Sequence, residues 1–167
     1  CLQNLPVTFM LDRAGLTGPD GPTHHGVFDL GYMRLFPNMV VLAPADEYDL
    51  KSMVAWAINH NGPVAIRYPK AVLEPTLNNR FGEDRIPVEL GHCEPLLDGP
   101  DGLIIACGSL TGTCLQAVEK LREEGLSVGL INARFVKPLD EETLLRRIQM
   151  SPWVVSVEEN ALQAGFG

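Results

Sequence analysis

Short apolar stretches separated by turns and helix-length segments constrain this chain more than any other feature of its sequence. "PVTFMLD" (6–12), "MVVLA" (39–43) and "VAIRYP" (64–69) each read as a short buried strand bounded by turn residues. Between the second and third, from Asp46 to His60, the residues Leu50, Met53, Val54, Ala57 and Ile58 fall on one helical stripe. Asp46 and Glu47 stand at its start, where the helix dipole favours negative charge, and "NGP" ends it. The alternation resumes further on: strand 103–107, helix 112–124, strand 127–131, helix 139–149 and strand 153–157. The last helix starts after Pro138 with Asp140, Glu141 and Glu142 and closes with Arg146 and Arg147, matching the dipole at both ends. Strands and helices in alternation predict an α/β fold in two units. Residues 71–100 carry no sustained helical period and predict a connecting segment, with a short strand at "VELGHC" (88–93).

Composition narrows the function. At 167 residues, 46% hydrophobic and 20% charged, the chain can bury a real core and is not a disordered segment. Its formal net charge of -8 argues against general affinity for nucleic acid or anionic membrane, so any phosphate it handles must meet local cations. No apolar run approaches the roughly 20 residues of a membrane span, which makes a soluble intracellular protein the expectation. Cys1, Cys93, Cys107 and Cys114 form no CxxC pair and read as reduced, structural thiols. Both ends look cut: the chain opens on Cys1 and closes on a strand running into a loop, so part of any site is expected outside it.

The chemistry concentrates in one loop. "DRAGLTGPDGPTHHGVFDLGYMR" (12–34) follows a buried strand, and in open parallel sheets ligands sit beyond the carboxyl ends of strands. A loop of ~20 residues is uncommon in a compact domain unless it has work to do. Arg13, Asp20, His24, His25 and Asp29 offer a cation, two carboxylates and two imidazoles; the competing reading is that they cap turns. A metal site needs three or four ligands, and the remaining histidines, His60 and His92, lie on the helix and in the connecting segment. Neither a nucleophile elbow nor a Lys-containing phosphate loop is present, and "GSLTGT" (108–113) reads as a tight strand-to-helix turn. In "VAIRYPK", Arg67 and Lys70 end a strand; if the strands run parallel, both share an edge with Arg13, and otherwise they are ordinary surface charge.

These residues also carry a resemblance. "LPVTFMLDRAGLTGPDGPTHHGVFDLGYMRLFPNMVVLAPADEYDL", "GPVAIRYPK", "GLSVGLINARFVKPLD" and "VVSVEEN" resemble, in order, the 1-deoxy-D-xylulose-5-phosphate synthase family. "DGPTH", the "PN" before the second strand and "PAD" are shared with transketolases generally, whereas "DRAG", "HHGVFD", "RYPK" and "NARFVKPLD" are the more specific pieces. The resemblance implies two three-layer α/β units. Residues 1–70 would be the latter part of a transketolase-like pyrimidine-binding domain, 71–84 a linker, and 85–167 an incomplete transketolase C-terminal domain. It implies a thiamine diphosphate- and Mg2+-dependent homodimeric transferase that condenses pyruvate with D-glyceraldehyde 3-phosphate. Carbon dioxide is lost and the product feeds isoprenoid, thiamine and pyridoxal synthesis, in bacterial cytoplasm or a plastid stroma.

By the family pattern His24 is the histidine at the reacting carbon and Asp20 its polar companion, and His25 is structural. Arg13 resembles the arginine that binds the triose phosphate; Lys70 stands where a second arginine is expected, and Arg67 is a further substrate-binding candidate. The cofactor-binding residues and any metal ligands are expected outside this chain, so the segment alone is expected to be inactive. The rival expectations are a transketolase, the β subunit of a 2-oxo acid dehydrogenase, or a non-catalytic dimerisation module.

Overall fold

The computed structural model describes residues 1–72, 76–82 and 85–167. Of the expected linker, residues 73–75 and 83–84 lie outside the described residues. Strands β1 (Thr8–Leu11), β2 (Val40–Leu42) and β3 (Val64–Arg67) run parallel in the order β1-β3-β2, and helix α1 (Asp29–Met33) lies in the long connection after β1. Helix α2 (Glu47–Asn59) connects β2 to β3; the Asp46 carboxylate caps it by accepting from the Asp49 amide at 3.0 Å. In the second sheet β4 (Glu94–Leu97), β5 (Gly102–Ala106), β6 (Val128–Asn132) and β8 (Val154–Val157) stand in the order β4-β6-β5-β8. Here β5, β6 and β8 are parallel and β4 is antiparallel. Helices α4 (Leu110–Glu123) and α5 (Glu141–Gln149) make the crossovers. The α/β class expected from the alternation is the class found.

Alternation along fully buried strands divides the core. Val40, Leu42, Val64 and Ile66 face Met53 and Ala57 of α2, while Val41, Ala43 and Ala65 face the other way. In the second sheet Ile104, Ala106, Val128 and Leu130 face Leu115 and Val118 of α4, and Leu103, Ile105 and Ile131 turn to the opposite side. Those opposite sides join one cluster: Val41, Ala43 and Ala65 share it with Leu103, Ile105, Ile131 and Val136. The two α/β units therefore share one core.

A further strand binds the halves together. Strand β7 (Phe135–Lys137), contributed by the C-terminal half, pairs antiparallel with β2 and completes the first sheet. Helix α3 (Thr76–Phe81) lies in the segment expected to lack helix, and buries Leu77 beside Leu115 and Val118. Six residues with one buried position are too few to show a period. The strand expected at 88–93 is found at Glu94–Leu97, because Glu94 enters the sheet as a buried, fully paired carboxylate opposite Asn132.

That carboxylate belongs to a network of charges where the two sheets meet. Arg85 donates to Glu94 through Nε (2.7 Å) and Nη2 (2.8 Å), to Asp46 through Nη1 (2.7 Å) and to Asp49 through Nη2 (3.0 Å). Arg134 donates to Asp49 through Nε at 3.0 Å and sets Nη2 2.9 Å from Glu94 Oε1, while Asn132 Nδ2 bridges Asp49 and Glu94. All six side chains are buried. Burial alone would lower the Arg85 pKa, but hydrogen bonding to Glu94 and the charges of Asp49 and Asp46 raise it above its ordinary value. Arg85 also lies over the Tyr48 ring, 4.7 Å from its centroid.

Among the described residues no helix is long and apolar enough to cross a membrane. All four cysteines are free; Cys93, Cys107 and Cys114 are buried, and burial pushes their pKa values up to about 12, 12 and 11. At pH 8 those thiols are protonated and sheltered, so a disulfide exchange reagent is expected to modify Cys1 alone in the native protein and all four after unfolding. Replacing Arg85 by Met leaves three buried carboxylates with one guanidinium. Urea unfolding is expected to show a loss of about 3–5 kcal/mol, the usual cost of removing one partner from a buried ion pair.

Candidate functional site

The long loop begins where β1 ends. Tyr68 donates to Leu11 O at 2.9 Å and Ala14 to Tyr68 O at 3.0 Å, so the segments leaving β1 and β3 run side by side past the strand ends. Between these bonds sits Arg13 at φ +61°, a left-handed conformation that costs a non-glycine residue free energy. The loop is closed by backbone pairing. Gly15 N donates to Gly26 O at 2.8 Å, and Gly26 N is shared between the carbonyls of Arg13 and Gly15, each at 3.0 Å. Only glycine fits at position 26, since a Cβ there would lie 2.4 Å from Arg13 O.

Beneath this closure lies a buried ion pair. Arg67 Nε donates to Asp29 Oδ2 at 2.6 Å, and Arg67 Nη2 donates to Gly26 O at 3.0 Å. Both side chains are nearly inaccessible, at 2% and 8% exposed, so Arg67 faces the underside of the loop and not its open side. His25 is likewise committed: its Nδ1 accepts the Thr17 amide at 2.9 Å, which leaves the ring proton on Nε2.

The exposed side carries the other candidates. Two single-turn 3-10 segments, Gly18–Asp20 and Pro22–His24, present Asp20 and His24. Asp20 Oδ2 accepts from Arg13 Nε at 2.7 Å, and Lys70 Nζ lies 2.7 and 2.9 Å from Asp20 Oδ1 and Oδ2. Arg13 Nη1 contacts the Asp12 carboxylate as well. Hydrogen bonds from Lys70 and then Arg13 hold the Asp20 carboxyl below the ordinary carboxylate range, and Asp20 with Asp12 raises Arg13. His24 is exposed, with its Nδ1 3.0 Å from Thr23 Oγ1; among the described residues Asp20 is bonded to the two cations and not to His24.

Of the residues expected at a site, Arg13, Asp20 and Lys70 are brought together and His24 is exposed on the same loop, whereas Arg67, expected to share their edge, is buried against Asp29. Sequence reasoning missed what the C-terminal half contributes. Glu159, just beyond β8, lies against Gly15, where a Cβ would come within 2.8 Å of its side chain; it accepts a hydrogen bond from Ser109 Oγ. Ala161 N donates to Val27 O at 2.7 Å, and Arg34 donates to Gly165 O. The "VEEN" segment carried family resemblance, but nothing in its residue pattern signalled contact with a loop more than a hundred positions away.

The arrangement supplies two cations on the segments that follow adjacent parallel strands, a carboxylate shared between them and an imidazole on the same loop. Such a surface suits a phosphorylated ligand that also needs a proton moved. Among the described residues no three His, Cys, Asp or Glu side chains gather as a metal would require.

Comparison with known proteins agrees with the fold. Residues 1–75 match the transketolase pyrimidine binding domain and residues 91–167 the transketolase C-terminal domain. A 1-deoxy-D-xylulose-5-phosphate synthase 2 of Geobacter sulfurreducens is 47% identical over 100% of this chain, and the synthase of Aquifex aeolicus is 48% identical over 99% of it. The chain spans 26% of the length of each. Among solved structures, a split gene transketolase described as an inactive beta4 tetramer superposes with a TM-score of 0.86 at 31% identity, over 99% of this chain and 52% of that one. A Pichia stipitis transketolase complexed with fructose 6-phosphate shares the fold, with a TM-score of 0.71 at 21% identity over 96% of this chain and 24% of that one. With both domains matched in order and nearly half of all positions shared along its length, the chain belongs to the transketolase family as a relative of the 1-deoxy-D-xylulose-5-phosphate synthases.

Proposed function

We propose that this chain forms the acceptor-binding part of a thiamine diphosphate-dependent transferase that joins pyruvate to D-glyceraldehyde 3-phosphate with loss of carbon dioxide, giving 1-deoxy-D-xylulose 5-phosphate. The observation that carries the reading is that Arg13 and Lys70, on the segments leaving the neighbouring parallel strands β1 and β3, meet at one carboxylate, Asp20, on the loop that also carries His24. Two cations converging at the carboxyl ends of strands suit the phosphate of a triose phosphate. The family's cofactor would supply the two-carbon nucleophile. We read the cofactor-binding residues as lying outside this chain, so the roles assigned to it concern the acceptor.

Those roles divide by chemistry. Arg13 and Lys70 bind and orient the acceptor phosphate. His24, exposed on the same loop, gives a proton to the oxygen that becomes negative as the aldehyde carbon is attacked. Arg67 acts from below, where its bonds to Asp29 and Gly26 O hold the backbone that carries Arg13. It is a positioning residue, and the phosphate meets Arg13 and Lys70 instead. Lys70 brings charge without the two-pronged geometry of a guanidinium. Exposed Phe9 and Met10 on edge strand β1, with Val7 just before it, support the family's dimeric assembly, in which further chain would cover them.

The deciding experiment uses the complete protein that carries this chain. Pyruvate is expected to be decarboxylated in a manner dependent on glyceraldehyde 3-phosphate, without lipoamide; a requirement for a ketose donor would make the protein a transketolase instead. These 167 residues alone, given thiamine diphosphate and Mg2+, are expected to form no product, and turnover by them would overturn the confinement to the acceptor.

Variants separate the roles within the complete enzyme. His24→Ala is expected to lower kcat by roughly 10²–10⁴ with little change in KM, as loss of a general acid does. Arg13→Ala and Lys70→Ala are each expected to raise KM for the triose phosphate roughly 10- to 100-fold, the worth of a hydrogen bond to a charged group. Lys70→Arg is expected to lower it.

A further inference from the structure

The Asp20 carboxylate occupies the position that a phosphate would need. Its two oxygens take the Lys70 ammonium at 2.7 and 2.9 Å and Arg13 Nε at 2.7 Å. A guanidinium grips an oxyanion through one of two forks, Nε with Nη2 or Nη1 with Nη2. Asp20 takes the single Nε–H, which closes the Nε–Nη2 fork to phosphate, while Asp12 contacts Nη1. Release of Asp12 would leave that fork closed and Lys70 still paired; release of Asp20 opens the fork and frees Lys70 together. Charge points the same way, since Asp12 and Asp20 neutralise Arg13 and Lys70 in the structure as it stands.

The loop is built to allow the exchange. The Asp20 side chain is 16% exposed and sits below its partners, with Lys70 at 49% and Arg13 at 32%, so an arriving anion meets the cations first. Asp20 lies in a single 3-10 turn and is followed by Gly21 at φ +77°, ψ 178°. No atom outside its immediate neighbours comes within 4 Å of where a Gly21 Cβ would be, so the turn is unpacked on that side. The framework beneath it, Gly15 with Gly26 and Arg67 with Asp29, is closed and buried.

We propose that Asp20 is a resident counter-ion which the acceptor's phosphate displaces, so that its carboxylate becomes available to the acceptor's hydroxyl only once the phosphate is seated. The proposal rests on the reading of Arg13 and Lys70 as the phosphate site. It assigns Asp20 two opposed effects: it weakens binding of any simple anion and assists turnover of the true acceptor. A merely structural aspartate would do neither separately, because its loss would impair both.

The test measures inhibition by inorganic phosphate, competing with glyceraldehyde 3-phosphate, in the complete enzyme saturated with thiamine diphosphate. Asp20→Asn is expected to lower the inhibition constant of phosphate roughly three- to tenfold, the scale of one or two exposed ion pairs removed from competition, while kcat falls. Asp20→Glu, which restores the charge, is expected to return the inhibition constant towards that of the parent. Asp20→Ser gives the same reading if the amide misfolds, with circular dichroism as the check on folding. Should phosphate inhibition weaken or stay unchanged in both Asp20→Asn and Asp20→Ser, while Arg13→Ala and Lys70→Ala weaken it, the counter-ion role is overturned and the phosphate site stands. If Arg13→Ala and Lys70→Ala leave phosphate inhibition unchanged, the phosphate-site reading itself falls.

Discussion

Six buried polar side chains hold the two halves of this chain in one arrangement. Asp46 and Asp49 come from the start of α2, Arg85 and Glu94 from the segment entering the second sheet, and Asn132 and Arg134 from the end of β6. Any relative shift of the sheets would pull a carboxylate from its guanidinium in a place water does not reach, where an unpaired charge is far costlier than the pair. Apolar packing alone tolerates sliding, since its attraction has no direction. The charged network has direction, and it fixes which residues of α2 face which residues of β6. Strand β7 follows from it, because the chain that leaves Arg134 is delivered beside β2.

This fixed arrangement reaches the candidate site. Glu159 and Ala161 meet the loop from Gly15 to Val27 only because β8 ends beside β5 and the second sheet stands where the network holds it. The loop then has two levels. Below, glycine closure and the Arg67–Asp29 pair are buried; above, Arg13, Lys70 and His24 are accessible, with Asp20 between the two cations. Strain at Arg13, with φ +61°, is tolerated because Gly26 N holds its carbonyl and Ala14 N is tied to Tyr68 O.

What could be read from the sequence, and what could not, follows the range of the interactions. Strands β2 and β3 and helix α2 were legible because each is specified by its own residues: buried runs between turns, and one apolar stripe with an Asp cap. Strand β1 was legible as a strand, but it stands at the sheet edge with Phe9 and Met10 exposed, where a buried strand was expected. The loop was legible as a long connection rich in charge and imidazole by its length and its residue types. Helix α3 and strand β7 were not, since six and three residues are too short to show a period and gain their stability from Leu115 and from β2. Strand β4 was misplaced because a buried glutamate reads as an exposed one until its arginine is known.

The sequence by itself determined the alternation of the longer strands and helices, the α/β class, and which loop carries charge and imidazole, because periodicity, caps and turn residues act over a few positions. Only the tertiary structure decided that the two sheets share one core, that Arg67 is turned inward to Asp29 while Lys70 stays outside, and that Asp20 answers to Arg13 and Lys70 and not to His24. Those outcomes depend on which groups lose their water and which remain in it. A charge's partner is settled by that exclusion, and exclusion is set by packing between segments as far apart as Asp29 and Arg67, or Asp49 and Arg134.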